Sequence, residues 1–229
     1  MARHARYDRK TALEKAVGLF WEKGYHGSSM KQIEQALDMR PGSIYATFGS
    51  KDGLFSEALA AYAEQGGREL AVHLKGFDSI VDGLQDYLRG IACGCGDGSA
   101  APSRACMIVK TLLESSNTHS ALADQANSIL AAIEGSLADL VEQARVKGEL
   151  AQSVDSRRLA RLLQAQIMGL RSMGERNLDP QAMKDLGDDM AAILDGYRTS
   201  IRPAVPSAAA ASAPSTGSRA PGRKETALP

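Results

Sequence analysis

The stretch "MRPGSIYATFGSK", Met39 to Lys51, decides how the rest of the chain is read. Pro41 sits where a first helical residue is preferred. Ile44 and Phe48 are four apart and share one helical face. Ser50 then caps a further helix that begins at Lys51. At about 100° per residue, Gly42 and Ala46 fall opposite Ile44 and Phe48, with Ser43 and Tyr45 on the flanks. A solvated face normally carries Lys and Glu. This one carries little bulk, one hydroxyl and one phenol. A helix this short does not fold alone, so its buried side needs neighbours and its bare side implies close approach to another surface.

The neighbours lie upstream. A first helix is expected from about Asp8 to Lys23, with Leu13, Ala16, Val17, Phe20 and Trp21 on its apolar face and Gly24 ending it. In "HGSSMKQIEQAL", Ser29 and Gln32 have capping-box spacing, and Ile33, Ala36 and Leu37 form the buried side of a short second helix. Asp38, Met39 and Arg40 make the turn. Three short helices with a tight turn between the second and third form a helix-turn-helix, whose last helix enters the major groove of DNA. On that reading Gly42 and Ala46 bring backbone near base edges, Ser43 hydrogen-bonds there, and the Ala46 methyl meets a thymine methyl. Tyr45 and Lys51 reach phosphates, and Ser29 sits at a helix N-terminus suited to another. Arg40, at the mouth of the third helix, is the candidate for a guanine contact. Arg3 and Arg6 would form a flexible arm. The same geometry also arises as plain helical packing. The coincidence of cap, turn, bare face and local charge favours DNA.

The charge is uneven. The 229 residues have zero formal net charge. Residues 1–51 carry nine Lys/Arg against five Asp/Glu, residues 52–201 fourteen against twenty-one, and the remainder four against one. A basic end on an acidic body restricts contact with a polyanion to the first segment. Aromatic content of 5% and apolar residues at helical spacing favour an all-helical chain. No apolar run approaches the ~20 residues of a membrane span, and "MARHARYDRK" does not read as a signal peptide. Three cysteines, Cys93, Cys95 and Cys106, are too sparse for a disulfide framework, so a cytoplasmic location is expected. Cys93 and Cys95 have no further ligand at zinc-like spacing, and no metal or cofactor is expected.

Downstream, a helix is expected from Lys51 to about Gln65, with a break or bend at Gly66-Gly67. A weaker pattern runs through Leu88 and Ile91. "CGCGDGSAAPS" is a loop, and "RACMIVKTLLES" resumes as an apolar helix. Further helices are expected from about Ser120 to Lys147, Ser156 to Glu175 and Pro180 to Thr199. The tail from Arg202 on is low in complexity and expected to be disordered. The last two helices, each apolar on one side, would pair with those of a second copy into a four-helix interface, with Gly169 allowing close packing. The alternative is that both stripes are monomer core. A dimer would set two recognition helices ~34–36 Å apart and read a palindrome.

The middle helices are expected to enclose a pocket, with Cys106, Met107, Leu112, Ile129, Ile133, Gln164, Met168 and Met173 as candidate lining groups; for any one of them ordinary core is the plainer reading. Cys106 stands between Arg104 and Lys110, and nearby cations favour a thiolate. A small buried hydrophobe is the simpler reading and is preferred. A remote alternative is a helical enzyme using Cys106 with His119 as base. His4, His26, His73 and His119 are scattered and read as solvated surface, so no catalytic residue is assigned.

The segment "TALEKAVGLFWEKGYHGSSMKQIEQALDMRPGSIYATFGSKDGLFSEAL" resembles the DNA-binding domain of the tetracycline-repressor (TetR) family. The features that match are "A…LF…KGY", "S…M.QI…AL" and "GSIYATFGSKDGLF". The resemblance implies an all-α fold of about nine helices, a homodimer on double-stranded operator DNA, and repression relieved by a small-molecule inducer. The implied organisation is a basic arm over 1–7, a DNA-binding domain over 8–51 with the helix-turn-helix at about 29–50, a helical ligand-binding and dimerisation domain over 52–200, and a tail over 201–229. "MRPGS" departs from the family's usual turn, which bears on base preference rather than fold. The stretch around Cys106 is similar to the "GC-aliphatic-V-K" segment of electrophile- and oxidant-sensing repressors of the family, including the N-ethylmaleimide-responsive type. That implies an alternative in which Cys106 is the trigger.

Overall fold

The structure, a computed structural model, describes residues 8–94, 105–176 and 178–199. The arm with Arg3 and Arg6, most of the Gly-rich loop including Cys95 and Arg104, and the tail lie outside the described residues. Among the described residues there are nine α-helices: α1 (Arg9–Lys23), α2 (Met30–Leu37), α3 (Pro41–Phe48), α4 (Lys51–Leu74), α5 (Ile80–Gly94), α6 (Met107–Ser115), α7 (Ser120–Val146), α8 (Ser156–Met173) and α9 (Pro180–Ala192). A 3₁₀ turn over Ile193–Tyr197 follows α9, and one isolated bridge joins Leu150 to Arg198.

The helix starts follow local chemistry. The Asp8 carboxylate accepts the Lys10 N–H at 3.1 Å and the Thr11 hydroxyl at 2.9 Å, capping α1. Ser29 and Gln32 close a reciprocal capping box at α2. Asp38 ends α2 in the left-handed region at φ 53°, which a short polar side chain tolerates. Met39 and Ile44, on either side of the α3 N-terminus, are buried in one cluster, the pairing that fixes a helix's entry angle.

Two apolar clusters hold the fold. Phe20, Ile33, Leu37, Ile44, Phe48, Leu54 and Phe55 centre the first, to which α6 adds Met107 and Ile108 and α7 adds Leu122 and Ala126. The Phe20 and Phe55 rings meet edge to face at 4.8 Å. Leu84, Leu88, Leu137, Val141, Leu159, Leu163 and Leu170 centre the second. Ile133 packs against both. Each such side chain, fully buried, contributes roughly 1.5–3 kcal/mol.

The structure departs from the expected elements at three places. α4 does not break at Gly66-Gly67 but continues to Leu74. Two helical glycines cost about 1 kcal/mol each. Leu70 and Leu74 bury against the second cluster beyond them, and Gln65 donates to Glu69 at 2.8 Å across them. α5 is regular where its pattern read as weak. Its N-terminus is capped from far along the chain, since the Glu149 carboxylate accepts the Ile80 N–H at 3.1 Å, the Val81 N–H at 2.9 Å and the Ser79 hydroxyl at 2.8 Å. α9 gives way at Ala192 to the 3₁₀ turn, where the buried Gln85 amide donates to the Ala191 carbonyl at 3.0 Å and to Asp195 at 2.9 Å.

Within the chain, α9 packs closely on α5 at Gly187. A Cβ at Gly187 would lie 2.5 Å from the Ala92 Cβ of α5, whereas one at Gly169 would meet only the Met190 methyl at 3.8 Å.

Candidate nucleic-acid interface and internal cavity

The third helix presents two unlike faces. Ile44 and Phe48 are buried, while Gly42, Tyr45 and Ala46 are exposed and Ser43 is half-buried. Tyr45 stands 47% exposed. Arg40 is the N-cap residue of α3, exposed and making no capping bond. The Thr47 hydroxyl donates back to the Ser43 carbonyl at 2.7 Å.

Two of the expected phosphate contacts carry other duties. The capping box engages both the N–H and the hydroxyl of Ser29, so a phosphate there would meet the next N–H groups of α2. Lys51 opens α4 half-buried, its ammonium 4.2 Å from the centroid of the Tyr25 ring. Burial holds its pKa below the ordinary lysine value. The Tyr25 hydroxyl donates to Asp52, and the His119 ring bonds the other Asp52 oxygen at 3.2 Å while meeting Tyr25 edge-on. Burial and then Asp52 push the Tyr25 phenol up to about 12, so it stays a donor. The Tyr25 bond, ahead of His119, holds Asp52 below the usual carboxylate value. Tyr25 and His119 were not expected at this site; their signal, an aromatic and a His far apart in sequence, appears only on folding. The expectation of solvated surface fails for His119 and for His73. His73 is half-buried and bonds the Gly83 carbonyl at 3.2 Å.

A cavity of about 1000 Å³ opens among α1, α4, α5, α6, α7 and α8. Cys106, Ile129, Ile133, Gln164 and Met168 line it. Met107, Leu112 and Met173 do not. Met107 is buried in the first cluster, Leu112 packs beside it, and Met173 packs on the second. One residue is 100° of helix rotation, so Ile108 takes the wall position beside Met107. Trp21, Tyr62, Tyr87 and Arg171, not foreseen, also line the cavity. A signal for Arg171 existed, because it falls seven residues after Gln164 and three after Met168, on the same face of α8.

Hydrogen bonds join the start of α6 and the residue before Cys106 to the end of α1. The Trp21 indole donates to the Ala105 carbonyl at 2.7 Å, and the Lys110 ammonium donates to the Trp21 carbonyl at 2.7 Å. Lys110 therefore reaches the end of α1, and among the described residues Arg171 stands as a cation near Cys106. His119 bonds Asp52, whereas Tyr62 and Arg171 stand near Cys106. Burial, then Cys106, holds the Tyr62 phenol well above its usual value.

Residues 12–58 match the family described as bacterial regulatory proteins of the tetR family, and residues 91–190 match the tetracyclin repressor-like C-terminal domain. Among curated proteins, the chain is 28% identical over 165 residues to the HTH-type transcriptional repressor ComR of Escherichia coli strain K12, covering 72% of this chain and 78% of that protein. It is 25% identical over 196 residues to the uncharacterized HTH-type transcriptional regulator YezE of Bacillus subtilis strain 168, covering 85% of this chain and 100% of that protein. A cysteine mutant of the TetR family regulator CifR, complexed with 26-base-pair operator DNA, superposes with a TM-score of 0.74 at 28% identity, covering 83% of this chain and 98% of the other.

Proposed function

Because this chain belongs to the TetR family of bacterial transcriptional regulators, we propose that it acts as a homodimeric repressor that holds a palindromic operator and lets go when a small molecule fills its cavity. The observation that carries the reading is the exposed, sparsely decorated face of α3, with Gly42, Tyr45 and Ala46 open to solvent beside a basic segment. Ser43 and Arg40 read base edges; Tyr45, Lys51 and the start of α2 at Ser29 hold phosphates. Half-buried Leu162, Leu186 and Met190 on the last two helices and exposed Ile193 in the 3₁₀ turn after them supply the apolar surface for a second copy. A ligand that favours a different spacing of the two reading heads shifts the population away from the DNA-bound form. The domain division at residue 51, with DNA contact before it and ligand and dimer contacts after it, is part of the same reading, as is action in the cytoplasm. Among the described residues no helix is long and apolar enough to cross a membrane.

Gel shifts of the purified chain on its own promoter fragment test the reading. Expected is a palindrome-dependent complex whose affinity falls steeply with salt through phosphate contacts. Absence of salt-sensitive binding to any duplex, or a protein that stays monomeric at working concentration, would overturn it.

A second reading has the same output with Cys106 as trigger. The position of that thiol on the cavity wall favours it. Cys106→Ser protein that still releases operator under an electrophile would end it.

A further inference from the structure

Arg171 sits half-buried on the cavity wall, with Tyr62, Tyr87 and Cys106 as its polar neighbours. None of the ion pairs among the described residues includes it. A guanidinium stays charged at any physiological pH, and its planar fork matches a carboxylate. Holding that charge in a partly desolvated hollow without a counter-ion costs free energy. The carboxylates that share the cavity are exposed ones, Glu64, Glu69 and Asp139. Glu64 pairs with Arg68 at 3.4 Å and Glu69 accepts from Gln65 at 2.8 Å. In water these charges are screened, and they do not neutralise Arg171.

The rest of the wall is apolar, with Ile129 and Ile133 from α7 and Ile167 and Met168 from α8. Gln164 donates its amide to the Leu130 carbonyl at 2.8 Å and so is already engaged. A cavity near 1000 Å³, mostly apolar with a few convergent polar groups, has the character of a small-molecule site at the upper end of the usual size range.

We propose that the cavity takes an amphipathic organic monocarboxylate, its carboxylate held by the Arg171 fork and the hydroxyls of Tyr62 and Tyr87, its alkyl or aryl body against α7 and α8. The effect on DNA rests on the repressor reading above; the binding itself does not.

Trp21 is the chain's single tryptophan and lines the same cavity, so its emission reads occupancy without DNA. Decanoate and 4-phenylbutyrate, each against its primary amide, are titrated into the full chain and into the Arg171→Met and Arg171→Lys variants. In the wild type the acid binds about tenfold tighter than its amide, or better. Arg171→Met removes that preference, and Arg171→Lys keeps part of it. Equal binding of acid and amide, no shift of Trp21 emission with either acid up to millimolar concentration, or a preference that survives Arg171→Met overturns the assignment. Circular dichroism checks folding. If Arg171→Met is unfolded, the wild-type contrast and Arg171→Lys decide. An acid that binds yet leaves operator occupied overturns the release mechanism and not this site. Release by neutral compounds alone overturns this site and not the mechanism.

Discussion

The indole Nε1 of Trp21 donates to the Ala105 carbonyl at 2.7 Å, fastening the last turn of α1 to the chain just before α6. Trp21→Phe removes that donor and leaves a half-buried carbonyl unpaired. The expected loss is about 1–3 kcal/mol, measured as a lower urea midpoint by circular dichroism. An unchanged midpoint would show that this latch adds nothing to stability.

Contacts of different kinds at the α3 face separate by sequence dependence. Tyr45→Ala and Lys51→Ala are expected to weaken binding to an operator and to a scrambled duplex alike. Arg40→Ala and Ser43→Ala are expected to cost about 1–3 kcal/mol on the operator and much less on the scramble. Gel shifts on both duplexes measure this. Equal losses for Arg40→Ala would refute its role at a base edge.

The two helical glycines near the chain's end behave oppositely. Gly187→Ala forces α5 and α9 apart, because the new methyl would lie 2.5 Å from that of Ala92. It is expected to destabilise by about 1–3 kcal/mol. Gly169→Ala meets only the flexible end of Met190 at 3.8 Å and is expected to stabilise the subunit by about 0.5–1 kcal/mol through helix propensity. Thermal melts of the two variants side by side test the contrast.

Acid sensitivity should pass through Asp52. Its folded pKa is depressed by the Tyr25 hydroxyl and then by His119. A depressed carboxylate stabilises the fold above its unfolded value, about 3.9, and that contribution is lost as pH falls through the folded value. Between those values the unfolded state binds more protons, so stability rises with pH. Melting temperatures between pH 5 and 2.5 should fall more steeply for the wild type than for Asp52→Asn; parallel curves would count against it.

The first three helices were legible because their determinants are local. Ser29 and Gln32 are three apart, Pro41 marks a first turn, and Ile44 and Phe48 fix which side of α3 is buried. What escaped was written across distance. The Glu149 cap on α5 joins positions about seventy apart, and Tyr25, Asp52 and His119 meet only once α1, α4 and α7 pack. The wall position of Ile108 beside the buried Met107 reflects a one-residue phase that an apolar run conceals. Gly66-Gly67 misled because local propensity favours a break there, while burial of Leu70 and Leu74 carries the helix on.

That continuity has a mechanical meaning. At 1.5 Å per residue, an unbroken α4 is a rod about 36 Å long. Its first turns stand next to Tyr25 and α3, and its later turns form cavity wall. A pivot of about five degrees at one end of such a lever sweeps the other by roughly 3 Å. A flexible joint in the middle would have absorbed the stroke.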